Sequence, residues 1–264
     1  MATLTRDNWT VNYDWSPSSG LRLGSCQYKG IQVLYSASVP FVYVNYTGGA
    51  FGPFTDELMS VSGSVEVRDI MMGFDLKVKY DAYGADYQYD HVWRFHEDGQ
   101  FGSSIVVQGP GEEINGQHTY HVPFRFDLDI SGSSGDSVQQ WVPLGGIGGF
   151  WQDVLQEGQL TPGALPTSFY DWQVVDKATS RRAMVRAGEH DNGELWALQF
   201  SGAESWASWG GAQPAPPGSP GSVPSIYDNN NSVQNADVVI WYISHVSARD
   251  LIAVCGPWFK LLGF

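Results

Sequence analysis

Runs in which apolar and polar residues alternate dominate this chain: "IQVLYSASV", "FVYVNY", "SVEVRDI", "DLKVKY", "YQYDHVWRF", "SSIVVQ", "VPFRFDLDI", "WQVVD", "RRAMVRA", "ELWALQF" and "ADVVIWYISHV". A period of two places every second side chain on one face, so each run reads as a half-buried strand. Eleven of them, separated by Gly, Asn, Asp or Pro, predict an all-β fold built as a large antiparallel sandwich. Helix is scarce, and only "GGFWQDVLQEG" reads as a short one. The stretch "SWGGAQPAPPGSPGSVPSIYDNNNS" is too rich in Pro, Gly and Asn to ladder, and predicts a loop or arm near residues 210–232 that reaches over a neighbouring subunit or a site mouth. The Val-, Ile- and Trp-rich residues after it must complete the sheet begun earlier, so residues 1–264 are expected to form a single domain.

Composition narrows the partners. Hydrophobic residues make up 42% of the 264 positions, enough for a substantial core, and 11 tryptophans favour packed sheets over helical bundles. The formal net charge of -14 argues against nucleic acid and anionic membrane surfaces as partners, since both attract clustered Lys and Arg. The first residues, "MATLTRDNWTVNYDW", lack the apolar run of a signal peptide, and no stretch reaches the roughly 18 apolar residues of a membrane span. A cytoplasmic location is therefore expected. Cys26 and Cys255 are too few for a disulfide framework and are expected to be unpaired buried thiols.

Chemistry-bearing residues concentrate in "GQHTYHVPFRFDLDISG". On a strand, His118, Tyr120, Val122, Phe124, Phe126, Leu128 and Ile130 share one face, and His121, Pro123, Arg125, Asp127 and Asp129 share the other. His118 and His121 thus point to opposite sides unless a bulge intervenes. Asp127 and Asp129, with the Leu128 carbonyl, either form a solvated acidic strand end or offer hard oxygen ligands to a calcium-sized ion. An EF-hand reading of "DLDISGSSGDSV" fails, because it follows a strand and lacks the glutamate at the twelfth position. No GxSxG, HExxH, P-loop or dinucleotide motif is present.

The segment "HTYHVPFRFDLDISG" resembles the copper-ligand strand of the copper/topaquinone amine oxidases, where His-x-His precedes Phe-Arg-x-Asp; Phe124, Arg125, Asp127 and Gly132 match. "NADVVIWYISHVSARD" resembles the family's strand before its third copper histidine. "GADYQYDHVWRFHEDGQF" is similar to the segment whose tyrosine becomes the quinone, and "GLRLGSCQYKGIQVLYSASVPFVYVNY" to the opening strands of the catalytic domain. The resemblance covers most of the chain, in order, in shortened form.

What it implies can be placed residue by residue. Tyr87 falls on the topaquinone precursor, with Trp93 and Phe95 in register but Asp86 and Gln88 as altered flanks. His118 falls on the first copper ligand, Tyr120 on the second and Ala248 on the third, with His245 nearby. The copper site is either rebuilt from His118, His121 and His245 or lost. Asp127, Asp129 and Asp237 match the family's structural calcium ligands, with Leu128 and Val238 supplying carbonyls. Asp56 is the nearest match to the catalytic base, but the chain between it and Tyr87 is much shorter than in the family and the residue reads better as a turn aspartate; His91 either lines a pocket or packs in the core. His96 and His190 read as surface histidines.

Three functions are then open: a copper-dependent oxidoreductase acting on a small amine-bearing or aromatic molecule, working as a homodimer; an enzyme that keeps the fold, has lost copper and quinone, and does non-redox cyclisation or isomerisation using residues such as Tyr87, His91 and Tyr120; and a binding protein without catalysis.

Overall fold

The computed structural model describes residues 1–16, 20–46, 54–57, 64–82, 87–108, 118–144, 148–160, 170–189, 192–202, 222–248 and 252–264. At residues 16, 46, 54–57, 81, 82, 87, 118, 222, 223, 248, 252 and 253 only the backbone is described. The N-terminal half supplies β1 (Ala2–Arg6), β2 (Trp9–Ser16), β3 (Gly20–Tyr28), β4 (Ile31–Ser38), β5 (Phe41–Tyr46), β6 (Phe54–Glu57), β7 (Glu66–Ile70), β8 (Gly73–Ala82), β9 (Tyr87–His96), β10 (Gln100–Gln108) and β11 (His118–Leu128). Then follow β12 (Asp136–Leu144), β13 (Gly148–Asp153), β14 (Gly158–Leu160), β15 (Trp172–Asp176), β16 (Arg181–Arg186) and β17 (Glu194–Gln199). A single helical turn, α1 (Ser222–Ser225), precedes β18 (Gln234–Ala236), β19 (Val238–Ala248), β20 (Ile252–Cys255) and β21 (Trp258–Leu262).

The strands form two antiparallel sheets. A ten-stranded sheet runs β1-β2-β3-β4-β11-β19-β17-β14, with β5 bonded to β11 and β6 to β5. An eleven-stranded sheet runs β13-β12-β15-β16-β21-β10-β9-β8-β7, with β18 on β12 and β20 on β10. Between them lies one apolar core to which both contribute, including Trp9, Trp93, Phe126, Trp172 and Phe259. The even positions of β11 from Tyr120 to Leu128 all enter it, as the alternation requires. A second, smaller apolar cluster, Phe41, Tyr43, Leu198, Val239 and Trp241, covers the outer face of the ten-stranded sheet. That sheet is therefore buried on both sides over part of its area.

The helix expected at residues 148–158 is instead β13, a short bridging segment and β14. Cross-strand packing overrides the local signal: Trp151 lies opposite Trp141 on β12, with ring centroids 5.3 Å apart. Gly149 makes room, since a Cβ there would stand 2.4 Å from the Trp141 ring. Of the expected arm, residues 210–221 lie outside the described residues. Its end is tied down by Glu157, whose carboxylate accepts from the amides of Asn229 (2.7 Å), Asn231 (2.9 Å) and Gln199 (2.8 Å). Cys26 and Cys255 are buried and form no disulfide. Among the described residues no helix is long and apolar enough to cross a membrane.

Gly256 joins β20 to β21, both of which pair with β10. Its φ is +134°, and an added Cβ would sit 2.0 Å from the Ser103 carbonyl oxygen. Gly256→Ala should cost about 2–4 kcal/mol, through strain plus backbone overlap. Gly30→Ala, at φ +76° with open space around it, should cost only about 1–2 kcal/mol. Urea denaturation of both variants checks the difference, and equal losses would refute the steric account.

Candidate functional site

Two polar centres emerge, and the first is acidic. β11 ends at Leu128, and β4 carries a bulge against it: Asp127 pairs with Ser36 but Leu128 with Leu34. The chain continues along β4 through the Asp129 amide, 3.0 Å from the Val33 carbonyl. On the other side Leu128 pairs with Val238, which brings Asp237, just ahead of β19, alongside. One carboxylate oxygen from each of Asp127, Asp129 and Asp237 lies within 4.8 Å of the others. Two ligands on one calcium ion can be separated by at most about 5 Å, so the spacing fits.

This centre is not the solvated strand end that the sequence also allowed. Asp127 and Asp129 are buried, and Oδ1 atoms of Asp129 and Asp237 have no hydrogen-bond partner. Burial, then the charges of Asp127 and Asp237, push the Asp129 carboxyl up to about 7. Burial also raises Asp237, against the pull of the Arg125 guanidinium. The sequence reading missed Asp136. Its Oδ2 accepts from the Ile130 amide at 3.0 Å and closes the turn between β11 and β12, while its buried Oδ1 has no partner. Burial, reinforced by Asp129, Asp176 and Asp237, raises it to about 8 against the Ile130 hydrogen bond. Its signal was present in "DLDISGSSGDSV", as the carboxylate that ends the Gly/Ser turn. Several carboxylates thus stand together with unpartnered buried oxygens, a cluster that either bound protons or a cation would neutralise.

The second centre is made of imidazoles. The β11·β19 ladder runs without a register shift from His118↔Ala248 to Leu128↔Val238, and it sets His121 directly opposite His245. Their Nδ1 atoms are 2.6 Å apart. His121 Nε2 lies 3.1 Å from Asn45 Nδ2 on β5, and His245 Nε2 lies 3.9 Å from Glu194 Oε2 on β17. Glu194 also accepts from Trp196 Nε1 at 3.2 Å and from Gln159. Burial and the neighbouring His245, opposed by Glu194, hold His121 down to about 4. Tyr43 stands beside His121, ring centroids 5.9 Å apart. This pair belongs to the sheet's outer face, along with Tyr43 and Trp241.

The inner face holds the remaining candidates. Tyr120 is buried edge-on to Tyr89, centroids 6.4 Å apart. His91 is fully buried, with Nε2 3.0 Å from Ser103 Oγ and Nδ1 3.5 Å from the Tyr80 hydroxyl, which accepts from the Leu21 amide at 2.7 Å. Burial pushes His91 down to about 3, leaving a neutral ring in a closed network. Tyr87 is placed by its backbone at the start of β9, paired with Ala82; His118 at the start of β11, paired with Tyr46 and Ala248; Asp56 on β6, paired with Val42. The unbroken ladder sets position 118 on the side of β11 that holds Tyr120, opposite to His121. The backbone therefore brings His121 and His245 together and does not bring position 118 to them.

No family model and no curated protein matches the chain. Solved structures do. The Pichia pastoris lysyl oxidase matches with a TM-score of 0.71 at 11% identity, over 99% of this chain and 52% of its own. A copper-containing benzylamine oxidase from Hansenula polymorpha gives 0.69 at 10%, over 99% and 59%. An Aspergillus nidulans amine oxidase gives 0.65 at 14%, over 99% and 51%. This chain thus spans 51–59% of the length of these structures. With its two large antiparallel sheets and these structural matches, the chain has a copper amine oxidase-like fold.

Proposed function

We propose that the chain is a calcium-binding protein on a copper amine oxidase-like scaffold, one that does not assemble a copper–quinone centre around Tyr87. The observation that carries the first half is the convergence of Asp127, Asp129 and Asp237, the last two with buried, unpartnered oxygens. Hard carboxylate ligands with adjacent backbone carbonyls suit calcium, whose charge would relieve the repulsion among them and tie β11 to β19.

The second half rests on the donor set. Copper beside a quinone-forming tyrosine takes several imidazoles on one side of a sheet, as the resemblance implies. Here the position of the second ligand is Tyr120, buried against Tyr89, and the position of the third is Ala248. The two histidines that do meet lie on the far face of β11. The residues present do not fit that group, so no amine oxidation is assigned to them. A homodimer, as the resemblance implies, belongs to the same proposal.

Elemental analysis after purification, with intact mass and a redox-cycling quinone stain after incubation with copper and oxygen, tests both halves. One equivalent of calcium and no added oxygen on Tyr87 are expected. A quinone signal mapped to Tyr87 would overturn the second half, and calcium-free protein with no calcium affinity would overturn the first.

A further inference from the structure

The outer-face imidazole pair is used by neither half of that reading. We propose that His121 Nδ1 and His245 Nδ1 form a binding site for one late first-row divalent metal ion, copper(II) or zinc(II), with Glu194 and Asn45 holding the two rings from behind. The inference deepens the reading that no copper–quinone centre forms at Tyr87, and it is independent of the calcium site.

The register supplies the geometry. His121 and His245 are direct cross-strand partners on a regular ladder, so their Cβ atoms are close and both rings project from the same face. The two Nδ1 atoms already aim at one point, 2.6 Å from each other. A tetrahedral ion with bonds of about 2.0–2.1 Å holds two nitrogens about 3.3 Å apart. Opening the pair by that amount takes only a small rotation of rings that are both partly exposed. Imidazole nitrogen selects zinc, copper and nickel over the hard cations suited to the acidic centre.

The surroundings have the form that metal-bound histidines require. A ligating imidazole donates its other N–H to a carboxylate or carbonyl oxygen. His245 Nε2 points toward the Glu194 carboxylate at 3.9 Å, which Trp196 and Gln159 orient. His121 Nε2 faces the Asn45 amide at 3.1 Å, and turning that amide over presents its oxygen. Both rings ligate in their neutral form. Two protein ligands leave coordination positions for water, so the site is open, not a closed structural one.

The test is titration of the metal-stripped full chain with copper(II), in excess calcium so that the acidic centre is filled. Calorimetry should read one equivalent, and electron paramagnetic resonance should show coupling to two imidazole nitrogens. His121→Ala and His245→Ala should each abolish the two-nitrogen signal, while His118→Ala leaves it unchanged. Glu194→Gln should weaken binding roughly 10–100-fold, and keeps the test alive if an alanine variant does not fold. Binding that survives both alanine variants, or no binding by the wild-type chain, overturns the inference and leaves the calcium reading standing. Binding lost in His118→Ala overturns it too, and a quinone forming on Tyr87 in that experiment would overturn the function proposed above instead.

Discussion

At pH 8, removing calcium with a chelator lowers the melting temperature of the protein, and acidifying the chelated protein toward pH 5.5 restores part of the loss. The reason is the raised carboxyls of Asp129, about 7, and Asp136, about 8. In the unfolded chain both return to the ordinary aspartate range near 3.8. Between that range and the folded values, the native state binds more protons than the unfolded one. These two carboxyls therefore make the calcium-free protein less stable as pH rises from about 4 to about 8, an effect opposed below about 6.5 by the buried neutral His91 and His121 and unopposed by them between about 6.5 and 8. This is opposite in sign to the usual behaviour of paired carboxylates. Calcium takes the place of those protons, so its affinity weakens as pH drops below 8 and its binding releases protons. At a hundredfold excess over its dissociation constant, it stabilises by about 2.7 kcal/mol, or roughly 5–10 °C for a domain of this size. Calorimetric melts at pH 5.5, 7 and 8.5, with calcium and with chelator, measure the whole pattern. A chelated protein that melts at one temperature across that range, or one indifferent to calcium, would show that the acidic centre does not behave as an ion site.

How far the sequence alone leads depends on which contacts are local. The inward face of β11 was legible because a strand's period is fixed by its backbone, and Tyr120 through Leu128 obey it. Asp127 and Asp129 were legible as a pair for the same reason. That they are buried was not, since a pattern of polar odd positions predicts a wet face, and here the outer side of the same sheet carries its own apolar cover from Phe41, Tyr43, Leu198 and Trp241. Asp136 escaped because a turn, not a strand period, returns it to the cluster. The meeting of His121 with His245 needed the register of β11 against β19, more than 100 residues later, and Glu194 needed β17 as the next neighbour. The helix expected around Trp151 was lost to a tryptophan on the adjacent strand. The histidine and Glu194 misses are pairings that no local window contains, whereas Asp136 and Trp151 were missed at a turn and a hairpin close in sequence, where strand period says nothing about which residues meet.

Replacing Arg125 by methionine should be among the most damaging single changes in the molecule, costing about 3–5 kcal/mol. Arg125 and Asp127 are both buried, with side-chain exposures of 1% and 1%, and Nη2 lies 3.3 Å from Asp127 Oδ2. Nη1 donates to Ser36 Oγ at 3.0 Å, and that hydroxyl lies 3.5 Å from the same carboxylate oxygen. Methionine fills a similar length but leaves Asp127 a buried anion without its guanidinium, in a cluster that already holds Asp129 and Asp237. Calcium is the other cation able to serve Asp127, so the two partners should be coupled. In chelator the variant should lose the full amount, and in excess calcium distinctly less, making its stability more calcium-dependent than that of the wild type. The double variant Arg125→Met/Asp127→Leu removes both charges; it should recover much of the stability in chelator while losing its response to calcium. Urea unfolding of the wild type, Arg125→Met, Asp127→Leu and the double variant, with and without calcium, closes the cycle. If Arg125→Met matches the wild type in chelator, or if its response to calcium is no larger, Arg125 and the ion do not share Asp127, and the buried cluster is held together by other means.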